Sequence, residues 1–205
     1  MHRASQLVLP LRSHGGRRPG AGRKPRGAKP LVSHAPRPRF EKALPVLVTL
    51  RFAGHVWNLR SARCYRLIRR AFESSRGRFG MRLIEFSVLG NHLHLIVEAD
   101  GSESLSRGIQ GLSIRIAKAL NRLMDGRGRV FADHYHERLL TTPTELVNAI
   151  AYVLGNAAHH YGEKHRDPYS SAGARELLAA PQGWLLRRGW RRARCIPSGM
   201  PPLRD

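Results

Sequence analysis

Acidic residues are scarce in this sequence: 14 Asp and Glu stand against 36 Lys and Arg in 205 residues, a formal charge of +22. So one-signed a surplus argues against a cationic partner and for a polyanion, most simply nucleic acid. Cysteine is nearly absent. Cys64 and Cys195 have no metal-ligand spacing, which excludes a disulfide framework and a cysteine-based structural zinc site. Long apolar runs are missing as well. No stretch reaches membrane-spanning length, and Leu7 to Leu11, broken by Pro10, is too short for a secretory core. The expected setting is the cytoplasm, at the nucleoid, with no membrane partner.

Charge and composition divide the chain in three. Residues 1–42 carry eleven Lys and Arg against one Glu, and too few large apolar residues to offset ordering entropy, which predicts a disordered basic tail. Within it, residues 15–27 resemble the AT-hook class of minor-groove peptides, with Arg17, Arg18, Arg23, Lys24 and Arg26 as expected DNA contacts. A phosphate-binding tail fits the same residues. Residues 43–164 hold the periodic apolar pattern of one domain. Residues 165–205, with eight basic and three acidic residues, read as a basic C-terminal tail. Trp184 and Trp190, among Arg187, Arg188, Arg191, Arg192 and Arg194, would either stack on a single strand or belong to a short helix docked on the domain.

Inside the domain, hydrophobic period assigns the elements. Val46, Val48, Leu50 and Phe52 alternate as a first strand. Cys64, Leu67, Ile68, Ala71 and Phe72 recur at helical spacing over 59–78, with a strongly basic outer face. Met81 to Leu89 reads as a second strand, with Ile84, Phe86 and Val88 sharing one face. Gly90-Asn91 makes a hairpin turn into a third strand at 92–99. Leu105 to Leu123 traces a second helix, and Tyr135 to Thr141 a fourth strand. Strand, helix, strand, strand, helix, strand is the ferredoxin-like order, RRM-like, an α+β fold with an antiparallel sheet and both helices on one face.

The third strand carries the chemistry. Side chains alternate along a strand, so His92, His94 and Ile96 share one face while Leu93, Leu95 and Val97 face the core. Two imidazoles spaced this way reach a single divalent cation, or else form a satisfied structural pair. A third helix is announced by Thr142-Pro143-Thr144-Glu145, with Thr as N-cap, Pro first in the helix and Glu closing a capping box. Leu146, Ile150, Val153 and Ala157 form its packing stripe. Glu145, Asn148, Tyr152, Asn156 and His159 form a polar one, in which Tyr152 and Asn156 are neighbours one turn apart. This helix is expected over the open sheet face.

Three stretches together resemble a known family: Gly90-Asn91-His92-Leu93-His94-Leu95-Ile96, Gly128-Arg129-Val130-Phe131-Ala132-Asp133 and Ala151-Tyr152-Val153-Leu154-Gly155-Asn156. The set is similar to the HUH single-strand DNA endonucleases, and more closely to the REP-associated tyrosine transposases and their single-tyrosine insertion-sequence relatives, over roughly residues 45–160. The chain departs at Asn156-Ala157, where relatives carry Asn-Pro, and at Arg129-Val130, where they often carry Trp-Gln. The resemblance implies His92, His94 and Asn156 as ligands of Mg²⁺ or Mn²⁺ and Tyr152 as nucleophile. It implies a single-stranded DNA endonuclease and strand transferase with a 5′-phosphotyrosine intermediate, acting on hairpin DNA, with Arg129 and Arg138 as further DNA contacts. A homodimer is compatible with it. The alternative is a non-catalytic DNA-binding protein descended from such an enzyme.

Other residues compete for these roles. Asp133-His134-Tyr135-His136-Glu137 offers a second His-x-His and a rival tyrosine, but its polar flanks suit a solvated rim. His159-His160-Tyr161 suits a helix C-terminus, where cations meet the dipole, and is given no catalytic role. An RNA-binding module of like topology would stack bases on central-strand aromatics, and only Phe86 is offered.

Overall fold

The computed structural model describes residues 37–162 and 167–196. The AT-hook-like segment, with Arg17, Arg18, Arg23, Lys24 and Arg26, lies outside the described residues. Four strands, β1 (Leu44–Arg51), β2 (Met81–Val88), β3 (His92–Ala99) and β4 (His136–Leu139), form one antiparallel sheet in the order β2-β3-β1-β4. Helices α1 (Ala62–Ser75) and α2 (Ser102–Leu123) lie between them in sequence and α3 (Pro143–Tyr161) follows β4. This is the α+β, ferredoxin-like arrangement expected from the periodicity.

The pleat sorts β3 as its alternation requires. Leu93, Leu95, Val97 and Ala99 join a core with Cys64, Ile68 and Phe72 of α1 and Ile109, Leu112 and Ile116 of α2. On the other face, Ile96 joins Leu146, Ile150 and Val153 of α3. Helix α3 starts where its cap dictates: Thr142 accepts from the Glu145 amide, and Glu145 accepts from the Thr142 amide. Helix α1 is shorter than its periodicity suggests, because Ser61 caps it by accepting from the Cys64 amide.

One expectation is corrected. Ile84 does not share a face with Phe86 and Val88; it packs with Ile96 and α3, whereas they belong to the core under α1 and α2. The cause is a register shift between Leu83 and Glu85, a bulge that inserts one residue and reverses the alternation. The basic C-terminal segment lies against the domain over residues 167–196, as the docked-helix alternative for Trp184 and Trp190 expects. Its backbone covers the β2 edge, with the Ser171 and Ala179 amides donating to Phe86 and Leu83. Leu185, Leu186 and Trp190 then fill the open face beside α3. At the other end, ordered contacts already include Phe40, whose ring is buried in the core.

Glu98 ties this segment down. It is fully buried on the open face of β3, accepts from Arg82 Nε at 2.6 Å, and takes the Gln182 and Gly183 amides at 2.8 and 2.6 Å. Removing one partner of such a network strands the others. Glu98→Ala is therefore expected to lower the unfolding free energy by about 3–5 kcal/mol, read as a lower urea midpoint at unchanged slope. A loss under about 1 kcal/mol would contradict this role.

Candidate active site

The open face of β3 presents His92 and His94 side by side, their rings 4.8 Å apart and edge to face. The hairpin of Leu89 to His92, closed by the Leu89 amide on the His92 carbonyl at 2.9 Å, starts the strand so that both imidazoles leave the same side. Each ring has its Nδ1 occupied. His92 Nδ1 lies 2.7 Å from Asn91 Oδ1, and His94 Nδ1 lies 3.0 Å from Thr49 Oγ1 on the paired strand. Asn91 Oδ1 only accepts, which favours the proton on His92 Nδ1 and leaves that ring's Nε2 lone pair outward. The Thr49 hydroxyl donates or accepts and orients the His94 ring under either tautomer.

Electrostatics keeps the imidazole lone pairs available. Burial, then the positive charge that His92 and His160 would share with it, lowers the His94 pKa to about 4. His92 is lowered for the same reasons, burial first, then His160 and Arg51. Desolvation penalises the charged imidazole, so near neutral pH the pair presents unprotonated nitrogens.

Helix α3 crosses above the pair. Its Tyr152 hydroxyl stands 3.3 Å from His94 Nε2, with the rings 5.1 Å apart. The phenol remains 51% exposed, so a substrate reaches it from solvent. Two turns further along the same helix, the His160 ring stands 6.2 Å from that of His92. Residues 152, 156 and 160 share one helix face. Tyr152 meets one histidine and His160 the other, and Asn156 lies between those two positions along the helix. Asn156 is buried, and its Oδ1 has no hydrogen-bond partner. The same holds for the Ser87 hydroxyl, which neighbours His94 across β2 and β3. Buried orphaned polar atoms are rare, and the Ser87 hydroxyl is one that lies beside His94 on the paired strand.

These residues fit a divalent cation. Among the described residues no three His, Cys, Asp or Glu side chains converge on one point, so two imidazoles alone would not complete a shell. The Asn156 carbonyl oxygen, buried and unpartnered, is a hard donor of the kind Mg²⁺ and Mn²⁺ accept.

The other expected positions fall as follows. Arg129 closes its own loop, with Nε donating to the Phe131 carbonyl at 2.7 Å and the guanidinium also reaching the Ala132 carbonyl. Arg138 lies on the open face, in register with Leu47, and pairs with Glu145 at 3.2 Å. His134 and His136 are both exposed. The rival Tyr135 lies under the Arg37 guanidinium, 3.5 Å from it.

His160 and Tyr161 are the residues that sequence reasoning missed. Tyr161 accepts a hydrogen bond from the Gly90 amide at 2.9 Å, and its ring lies 4.4 Å from the Arg60 guanidinium. Arg60 in turn pairs with Asp167 at 3.0 Å and donates to the Val88 carbonyl at 3.1 Å. The end of α3 is thereby anchored to the turn that launches His92. The signal available was spacing: position 160, not 159, continues the series 148, 152, 156.

No protein-family model matches the chain, and no curated protein matches it. Among solved structures it is similar to that of a REP-associated tyrosine transposase bound to a REP hairpin. The superposition has a TM-score of 0.58 at 15% identity and covers 74% of this chain and 91% of that chain. At this identity the likeness is one of fold. No helix among the described residues is long and apolar enough to cross a membrane.

Proposed function

We propose that this chain is a metal-dependent tyrosine endonuclease and strand transferase that acts on single-stranded DNA, folded as a hairpin. The observation that carries the reading is Tyr152, its hydroxyl 3.3 Å from Nε2 of the inner histidine of the pair. The hairpin substrate is taken from the structural neighbour, which binds a REP hairpin. The surplus of Lys and Arg over the whole chain suits a polyanion.

A phosphodiester repels anionic attackers, and a phenol is a weak nucleophile at neutral pH. His92, His94 and Asn156 would hold Mg²⁺ or Mn²⁺, which when bound neutralises a non-bridging phosphate oxygen and orients the scissile group. Tyr152 Oη then bonds to phosphorus as the P–O3′ bond breaks. The phenol gives up its proton, the departing oxygen leaves as a 3′-hydroxyl, and the 5′-phosphate stays on the protein. Because one phosphodiester is exchanged for another, attack by a DNA 3′-hydroxyl reverses the step and joins strands without ATP.

The test is an SDS-resistant protein–DNA adduct formed on labelled hairpin oligonucleotides with Mn²⁺. An adduct that EDTA prevents is the expected result. DNA binding without an adduct, across a varied oligonucleotide pool, would favour the non-catalytic reading.

A further inference from the structure

Tyr152 has two sides. One faces the histidine pair; the other opens into a groove of about 340 Å³ between the first half of α3 and strands β1 and β4. Its floor is apolar, made by Leu47, Leu140 and Ala149, and Arg138 and Asn148 stand at its rim. Asn148 is exposed and lies one turn before Tyr152 on the same helix face. The one acid in the groove, Glu145, is already engaged: Thr141 and Thr142 amides donate to it at 3.0 and 3.2 Å, and Arg138 pairs with it. The Arg138 side chain nevertheless stays 67% exposed.

We propose that this groove binds the unpaired nucleotide next to the scissile phosphate, with Asn148 reading its base. The proposal rests on the cleavage reading above and names where the neighbouring residue of that substrate sits. Each part answers one part of a nucleotide. The apolar floor takes the face of a base, which needs no sequence-specific contact. The Asn148 amide offers a donor and an acceptor side by side, which matches a base edge and discriminates among bases. Arg138 meets the adjoining phosphate, which positions the strand without reading it. One helix turn advances about 5.4 Å, so a strand laid along α3 brings its scissile phosphate to Tyr152 while its neighbour occupies the groove.

The test uses the full chain and hairpin oligonucleotides in which each base flanking the cleaved bond is varied in turn. Asn148→Ala is expected to flatten the base preference at one flanking position by about 10-fold, the scale of a bidentate amide–base contact. Arg138→Gln is expected to weaken binding equally for all sequences and to reduce the salt slope by about 0.7, one single-strand phosphate contact. A second arm needs no chemistry: Tyr152→Phe protein is titrated with oligonucleotides carrying 2-aminopurine at either flanking position. A fluorescence change at one position that Asn148→Ala abolishes supports the subsite. Signals and preferences identical with and without Asn148 overturn it, even where adducts form. Asn148-dependent fluorescence with no adduct anywhere overturns the cleavage reading instead and leaves the nucleotide site standing.

Discussion

Tyr152→Phe is expected to abolish the covalent adduct on hairpin DNA, a loss of at least about 10³-fold in rate, because no other group replaces a missing nucleophile. The substitution removes one oxygen and keeps the ring that packs edge-on against His94. The lost hydrogen bond to His94 Nε2 involves a half-exposed phenol and is worth about 0.5–1.5 kcal/mol, so the variant should fold and still bind DNA. Two other tyrosines supply controls. Tyr135→Phe keeps its stacking under Arg37 and should leave the adduct intact. Tyr161→Phe loses its bond from the Gly90 amide and should lower the rate without removing the adduct. An adduct that survives Tyr152→Phe and disappears in Tyr135→Phe would move the nucleophile to the other His-x-His.

The second large effect is expected from the histidine pair. His94→Ala should remove both the adduct and the ability of Mn²⁺ to stabilise the fold. A ligand that binds only the native state stabilises it by RT ln(1 + [L]/Kd), about 2.7 kcal/mol at a hundredfold excess over Kd. The wild-type melting temperature should therefore rise with Mn²⁺, and that of His94→Ala should not move. Asn156→Leu separates the third donor from the pair. It removes a buried oxygen that has no hydrogen-bond partner in the apo fold, so metal-free stability should hold while the Mn²⁺-dependent rise shrinks. Equal Mn²⁺ stabilisation in wild type and His94→Ala would place the cation elsewhere.

Much of this site was legible in the residues, and the reasons are local. The period-two pattern of β3 assigns His92 and His94 to one face without any knowledge of the sheet. Thr142, Pro143 and Glu145 are a cap whose geometry is built from neighbouring residues, so the start of α3 and the phase of Tyr152 follow. What failed or stayed open depends on contacts between distant segments. Ile84 sits on the open face because of a bulge paired against β3, and nothing in the run from Met81 to Val88 marks it. The docked C-terminal segment contains only a four-residue helix, Trp184–Arg187, and two short 3₁₀ turns, too short to show a period. Its anchor is Glu98, far away in sequence. His160 was obscured by adjacency: a one-residue difference in phase separates it from His159, and only the ring facing His92 decides between them.

The most direct measurement is to locate the DNA on the protein. The wild-type adduct formed with Mn²⁺ is digested with nuclease and trypsin, and the nucleotide-bearing peptide is sequenced by mass spectrometry. The account predicts a nucleotide 5′-phosphate on Tyr152, within the peptide spanning residues 139–164, which also holds Tyr161 as an internal comparison. A nucleotide on Tyr161, on Tyr135 or on any serine would contradict it.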